Sequence, residues 1–496
     1  MNTRSCGILM HITSLPSPYG IGTLGREADW FAEWLRDAGQ RFWQVLPIGP
    51  TGYGDSPYQP FSSFAGNPLM IDLDELVEQG LLAREQVEQA DYGADPNYVD
   101  FGKVNRTKTE LLREASKKFE DDVGYTSFTL DEADWLDDYA LFMALKDKFG
   151  GKPWTLWDDD IKLRTPEAME RYRDELRDEI RFRKFSQYIF FRQWDRFHRY
   201  CNSIGIEIIG DIPIYVSPDC ADVWAQPELF ELEESRNPKR VAGVPPDYFS
   251  ATGQLWGNPL YDWEEMKARG YDWWIERVRK STKNYDVLRI DHFRAFDTYY
   301  AIPFGQKTAE HGKWEQGPGL ELFDAIKAEL GNVNIIAEDL GEIFDSVKLL
   351  LRKTGFPGMR VLQFGFNPEN SDNDHLPHSY PKNCVAYTGT HDNATVMQWY
   401  DEADRKSRAM SKRYLKKGLF EGRNYSFIRS VYASPANLAV IPIQDVMGLG
   451  KEGRMNVPST LGGNWNWRMR KMPKPADASK LRELADTYFR LNANLK

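Results

Sequence analysis

Five carboxylates in this sequence each stand at or just after the end of a short apolar run. They are Asp211, Asp291, Glu338, Asp392 and Asp445. Carboxylates held in a ring repel one another, which raises the pKa of at least one and lets an acid and a base coexist near neutral pH. Glycosidic bond chemistry needs two carboxylates with such divided roles. For one strand alone, a cap on the next helix is the better interpretation, but five converging acids weaken it.

The elements that must position these acids are eight nearly continuous apolar runs that end in Gly, Pro or polar clusters. They span residues 7–12, 42–48, 206–216, 285–293, 333–340, 359–366, 383–390 and 436–446. Such runs are typical of strands buried on both faces of a parallel sheet. Amphipathic segments follow several of them, so the sequence predicts an α/β fold, a (β/α)8 TIM barrel with the acids at its carboxyl edge.

The uneven spacing of the runs predicts insertions in a single catalytic barrel that spans residues 1–496. More than 150 residues separate the second and third runs, against the roughly 31 residues of an average barrel unit. We expect a helical subdomain at about 66–205, a loop-rich insertion over the active site at 217–284, and a helical insertion at 400–435.

Composition excludes several classes of function. The formal net charge of −11 argues against binding to nucleic acid, which needs clustered Lys and Arg. The sequence contains no membrane-length apolar run, no export signal, and four widely spaced cysteines, so we expect a cytoplasmic protein with free thiols. The G-x-G-x-x-G match at 20–25 does not directly follow a strand, and the histidines are scattered, so we expect no cofactor and no metal. Aromatic residues are abundant, at 14%.

Three motifs resemble those of the α-amylase superfamily, and more closely the amylomaltase, or 4-α-glucanotransferase, family. The motifs are RIDHFR at 289–294, AEDLG at 337–341 and THDN at 390–393. Longer similar stretches at 11–22, 52–68, 210–216 and 243–259 extend the resemblance along nearly the whole chain. It implies that Asp291 is the nucleophile, Glu338 the general acid/base, and Asp392 a third carboxylate that grips sugar hydroxyls.

The residues themselves support part of this assignment. Arg289 and Asp291 are two apart on a strand, so they share a face, and the guanidinium would keep the nucleophile ionised. Spacing alone does not choose Glu338 over Asp339; the resemblance makes that choice. Asp211 matches the acid of the superfamily's first motif, but the Asn and His that usually follow are missing, which argues against an amylase-type calcium site.

The remaining candidate substrate-binding residues are similar to subsite residues of the family. Together with Asp211 and Arg289 they are Tyr58, Gln254, Trp256, His292, His391 and Asn464. His292 and His391 adjoin the catalytic acids, which favours contacts with sugar hydroxyls over a purely structural role. Flat aromatic faces stack on sugar rings. We therefore expect some of the abundant aromatic residues to lie above the ring of acids, namely Tyr53, Tyr58, Tyr248, Phe249 and Trp256.

The predicted function is therefore transfer of an α-1,4-glucan segment to the 4-hydroxyl of an acceptor by a retaining double displacement. The expected substrates are maltooligosaccharides and starch- or glycogen-type glucans. The alternatives are an α-1,4-glucan hydrolase on the same barrel, because water and a sugar use the same carboxylates, and a glucan-binding protein without activity. The three carboxylates disfavour the last. The sequence leaves the oligomeric state open.

Overall fold

The computed structural model describes residues 3–246, 250–341, 343–370, 373–419 and 421–493, apart from the side chain of Tyr53. The strands are β1 (Ser5–Leu9), β2 (Phe42–Gln44), β3 (Glu207–Pro213), β4 (Arg240–Val244), β5 (Gln254–Pro259), β6 (Val287–Asp291), β7 (Thr298–Pro303), β8 (Lys313–Gln316), β9 (Ile335–Ala337), β10 (Gly358–Val361), β11 (Cys384–Tyr387) and β12 (Leu438–Pro442).

The helices alternate with the strands or fill the long connections between them. They are α1 (Arg26–Asp37), α2 (Leu73–Glu78), α3 (Arg84–Glu88), α4 (Phe101–Lys118), α5 (Val123–Asp131), α6 (Ala133–Lys148), α7 (Asp159–Lys162), α8 (Pro166–Glu175), α9 (Arg177–Ser203), α10 (Ala221–Ala225), α11 (Trp263–Ala268), α12 (Asp272–Asn284), α13 (Leu320–Leu330), α14 (Asp345–Thr354), α15 (Val396–Glu402), α16 (Arg405–Leu415), α17 (Arg423–Ala433), α18 (Ile443–Met447) and α19 (Pro475–Thr487).

An eight-stranded parallel sheet forms the core, in the order β10-β11-β12-β1-β2-β3-β6-β9. Its two edge strands approach each other, because the amide of Ala337, the last residue of β9, donates to the carbonyl of Pro357 just before β10 at 3.0 Å. The sheet is thus a nearly closed barrel, and each predicted apolar run contributes one of its strands. The predicted TIM barrel is confirmed.

Helices α2 to α9 occupy the long connection between β2 and β3. The last of them, α9, is 27 residues long and packs against α6 as well as against β3 of the barrel. Its buried face is largely aromatic, with Phe185, Phe190, Trp194 and Phe197. Much of the aromatic content is therefore core packing between the barrel and its helices.

A second, antiparallel sheet was not predicted. It has the strand order β5-β4-β7-β8, so it joins the connection after β3 to the connection after β6. The expectation of a loop-rich stretch at 217–284 needs correction, because this stretch contains β4, β5 and helices α10 to α12. The strands were missed because they are short, and β4 and β5 carry Gly or Pro, which are uncommon inside strands.

Within the described part of the chain, no helix is both long and apolar enough to cross a membrane. All four cysteines are buried free thiols.

Candidate active site

Parallel neighbours bring three of the acids to one edge of the barrel. In the register of β3 and β6, Asp211 lies opposite Arg289, and Asp291 is the last residue of β6. Glu338 directly follows β9, whose Ala337 pairs with Ile290 of β6. Because the strands run in the same direction, all three acids lie at the carboxyl ends, which is the face where barrel enzymes hold their sites.

Arg289 joins two of these acids. Its Nη1 donates to Asp211 Oδ2 at 2.5 Å and its Nη2 donates to Asp291 Oδ1 at 2.8 Å. The side chain of Asp211 is fully buried, whereas that of Asp291 is 30% exposed. Arg289 is therefore held by the buried Asp211 and in turn holds Asp291, the more exposed of the two acids.

The charge on Asp291 is set by opposing effects. Burial raises the pKa of Asp291, the Arg289 guanidinium lowers it, and the nearby Asp211 and Asp392 raise it again. The resulting pKa lies above the ordinary value of an aspartate. The contact predicted between Arg289 and Asp291 is present, but the guanidinium only limits the rise that burial and the neighbouring acids impose.

Glu338 occupies a different electrostatic environment. Its Oε2 accepts from the backbone N–H of His292 at 2.8 Å and its Oε1 accepts from the N–H of Leu340 at 2.6 Å. Burial raises the pKa of Glu338 to about 8, and the charge of Asp291 adds to the rise. At neutral pH the group holds a proton, as a general acid must.

Its neighbour Asp339 points elsewhere. Asp339 Oδ1 accepts from the N–H of Met359 at 2.6 Å, and Oδ2 pairs with Arg360 at 3.2 Å. A Cβ on Gly358 would lie 2.4 Å from Asp339 Oδ2, so this carboxylate packs tightly against β10. The two neighbouring acids therefore point in different directions, Glu338 toward the His292 N–H and Asp339 toward β10.

Asp392 reaches the same site through His391 and Tyr58. His391 Nε2 lies 3.3 Å from Asp392 Oδ2 and 2.9 Å from the Tyr58 hydroxyl, which donates to Asp211 Oδ2 at 2.8 Å. Asp392 Oδ1 also accepts from Asn456 Nδ2 at 2.6 Å. Burial would raise the pKa of Asp392, but His391 and Asn456 outweigh it and lower the pKa to about 2.

Trp256 and His292 form one wall beside Glu338. The two rings meet edge to face with their centroids 4.7 Å apart. Trp256 Nε1 donates to Gln254 Oε1 at 3.2 Å, which ties both predicted residues of β5 together. His292 has left-handed backbone angles, φ 53° and ψ 45°, uncommon for a residue other than glycine. This conformation accompanies the donation from its N–H to Glu338.

Two predicted groups do not join this network. Asp445 is buried and accepts from Thr388 Oγ1 at 2.5 Å and from the N–H of Val396 at 2.7 Å. Val396 begins α15, so Asp445 stabilises a helix start, and the predicted ring of five acids is reduced to four. Asn464 bonds to Val457 and Thr460 within its own loop.

The aromatic residues predicted over the acids divide into two cases. The rings of Tyr58 and Trp256 lie at the site, where they contact His391 and His292. Tyr248, Phe249 and the side chain of Tyr53 lie outside the described residues.

Sequence reasoning missed two residues of the site, Asn456 and Trp465. The Trp465 ring packs against Tyr58 and His391, with centroids 5.6 and 5.9 Å away. Both residues lie in the connection between α18 and α19, which has no apolar periodicity. Only the three-dimensional approach of this loop to the ends of the barrel strands reveals them.

Comparisons with known proteins identify the family of this chain. The model of glycoside hydrolase family 77, described as 4-alpha-glucanotransferase, matches residues 10–473. The chain belongs to this family. The Clostridium butyricum 4-alpha-glucanotransferase is 48% identical over 97% of this chain and 98% of its own. Its Thermus thermophilus counterpart is 45% identical over 98% and 99%.

A solved structure also matches the fold over nearly the whole chain. Amylomaltase from Streptococcus agalactiae in complex with acarbose has a TM-score of 0.96 and 41% identity, and covers 98% of this chain and 99% of its own. The predicted 4-α-glucanotransferase activity on α-1,4-glucans is confirmed, and the hydrolase alternative gives way to it.

Proposed function

We propose that Asp291 is the nucleophile of the transfer, Glu338 its general acid and base, and Asp392 the carboxylate that grips the donor sugar. One observation carries the assignment: two carboxylates at the ends of adjacent strands have different partners. Asp291 pairs with a buried guanidinium, whereas Glu338 accepts only backbone N–H groups among the described residues, and burial raises its pKa to about 8. Such divided environments separate a nucleophile from an acid.

In the first step Asp291 attacks the anomeric carbon of the donor glucan. A bond forms between this carbon and an Asp291 oxygen, and the bond to the glycosidic oxygen breaks. The proton on Glu338 passes to the departing oxygen, so the released fragment leaves with a free 4-hydroxyl.

The second step reverses these transfers onto an acceptor. The ester at Asp291 carries no charge, so the repulsion that helps to raise the pKa of Glu338 is removed. Glu338 is then a carboxylate able to take the proton of an acceptor 4-hydroxyl. The acceptor oxygen bonds to the anomeric carbon, the ester bond breaks, and the α configuration is restored.

The other site residues surround the donor. Asp392 is 43% exposed and has a pKa of about 2, so it offers a fixed negative charge to sugar hydroxyls. Trp256 offers an aromatic face, and Gln254, His292, His391 and Tyr58 line the approach. Asp211 and Arg289 hold Asp291, and we assign Asn464 to the loop that borders the cleft.

The substrates we propose are maltooligosaccharides and starch- or glycogen-type glucans. The Streptococcus agalactiae amylomaltase was solved in complex with acarbose, which supports binding of oligosaccharides by this chain.

Incubation with maltotriose tests the transfer. We expect glucose together with maltotetraose and longer products at the earliest times, because an acceptor sugar captures the intermediate. Glucose and maltose alone would mean that water is the acceptor. Covalent trapping tests the residue roles: a slow fluorinated maltosyl donor, quenched and digested, should add its sugar mass to Asp291. A label on another carboxylate would overturn the assignment.

A further inference from the structure

His391 is part of the lining of a small cavity that Asp392 does not line. Its volume is about 20 Å³, and its walls include His11, Thr390, His391, Thr395, Gln444 and Met455. Roughly 10–15 Å³ is enough for one water molecule, provided that at least two polar atoms reach it. The mechanism above makes no use of His11, which follows the end of β1 and is buried.

The hydrogen bonds of Tyr58 determine which ring nitrogen of His391 carries a proton. The Tyr58 hydroxyl has a single proton, and this proton is donated to Asp211 Oδ2 at 2.8 Å. Nε2 of His391 must therefore be the donor in its 2.9 Å contact with Tyr58 and in its 3.3 Å approach to Asp392. With Nε2 protonated, the function of the ring depends on what its Nδ1 meets.

Nδ1 of His391 is buried and has no hydrogen-bond partner among the described residues. The same holds for Nδ1 of His11 in the described chain. Burial and, to a smaller extent, the neighbouring His391 lower the pKa of His11 to about 3, so His11 is neutral at physiological pH. Both ring nitrogens belong to residues that line one cavity. An unsatisfied buried polar group costs roughly 1–3 kcal/mol, so a single water that pairs with both would stabilise the site.

We propose that one ordered water molecule fills this cavity and bridges Nδ1 of His11 to Nδ1 of His391, which makes His11 a positioning residue for the active site. The water holds the His391 ring in the orientation in which Nε2 donates to Tyr58 and Asp392. His11 thus acts on the glucan only through His391. The functional part of the proposal rests on the role assigned to Asp392, whereas the water bridge itself does not.

A pair of His11 variants tests the positioning role. In His11→Asn the amide keeps a polar atom close to the position of Nδ1, whereas His11→Leu removes it. We expect kcat for maltotriose transfer to fall about tenfold in His11→Leu, with KM within about twofold, because a misoriented His391 weakens only the contacts that orient the reacting sugar. His11→Asn should recover most of the lost rate. His378→Leu, on the exposed surface beside Tyr414, is the matched control and should have normal kinetics.

Equal rates in His11→Leu and the wild type would overturn the proposal, and so would equal losses in both His11 variants. A crystal structure of the wild-type protein at high resolution tests the bridge without any variant. We expect one water about 3 Å from both Nδ1 atoms. Density for the two rings without a bridging water would overturn the proposal even if Asp392 has its assigned role. If the bridging water is present but Asp392 proves to have another role, the bridge is confirmed and only the proposed function of Asp392 is wrong.

Discussion

The barrel holds a buried acid at two parts of its carboxyl edge, and the two have opposite uses. At β6 and β9, Glu338 lies beside Asp291 at the cleft. At β11 and β12, Asp445 accepts from Thr388 and from the first residue of α15. Burial raises the pKa of both acids, to about 8 for Glu338 and about 6 for Asp445. A raised pKa therefore does not identify a catalytic acid in this molecule.

The neighbours of each acid make the difference. Glu338 has a second carboxylate next to it, and that carboxylate is 30% exposed through the cleft. Asp445 has only neutral donors among the causes of its pKa shift. An acid beside another acid at an opening can exchange protons with a substrate, whereas an acid enclosed by hydroxyl and amide donors stabilises the fold.

Replacement of Asp291 should abolish activity at the first region, the site formed by Asp291 and Glu338. In Asp291→Asn the side chain keeps its shape but cannot attack the anomeric carbon. We expect kcat for maltotriose transfer to fall by about 10⁴-fold or more, with an unchanged melting temperature. The matched control is Asp339→Asn, a buried acid after the neighbouring strand β9 that points toward β10, and its kcat should stay within about threefold. Substantial turnover by Asp291→Asn would remove the nucleophile from Asp291.

Replacement of Glu338 should give a smaller loss that depends on the leaving group. We expect Glu338→Gln to lose about 10²–10⁴-fold with maltotriose, because the departing oxygen receives no proton. Maltotriosyl fluoride releases fluoride without protonation, so formation of the covalent intermediate from it should be close to normal in the variant. An equal loss with both donors would contradict the role of Glu338 as the acid.

The pH dependence sharpens the contrast between the two acids. Glu338 must be protonated in the free enzyme, and its pKa is about 8. Above that pH the protonated fraction falls about tenfold for each further pH unit, so kcat/KM should fall with the same slope. Replacement of Asp445, whose pKa is about 6, should leave the fall of kcat/KM above pH 8 unchanged. A flat profile from pH 7 to 10 would argue against a protonated Glu338.

The sequence predicted the barrel because both-face burial makes each strand an apolar run, from 7–12 to 436–446. It pointed to the candidate acids through the strand ends, and the resemblance to the family selected Asp291, Glu338 and Asp392 among them. The strand-end pattern alone did not separate Asp445 from the others. The partner of each acid depends on packing between segments that are distant in sequence. Asp445, for example, bonds to Thr388, which is 57 residues away. Asn456 was invisible for the same reason, since it reaches Asp392 across 64 residues from an aperiodic loop.

The smallest expected effect on activity comes from Asp445. Asp445→Ala leaves the Thr388 hydroxyl and the Val396 N–H without their buried acceptor, so the free energy of unfolding should fall by about 1–3 kcal/mol. Asp404→Ala removes an exposed cap, which accepts from Lys406 and Ser407 at the start of α16, and should cost only about 0.5–2 kcal/mol. Urea unfolding measures both losses, and kcat per folded molecule should stay within about twofold in each variant. A loss of kcat confined to Asp445→Ala would mean that this acid belongs with the catalytic group after all, and that the two edges of the barrel are one site.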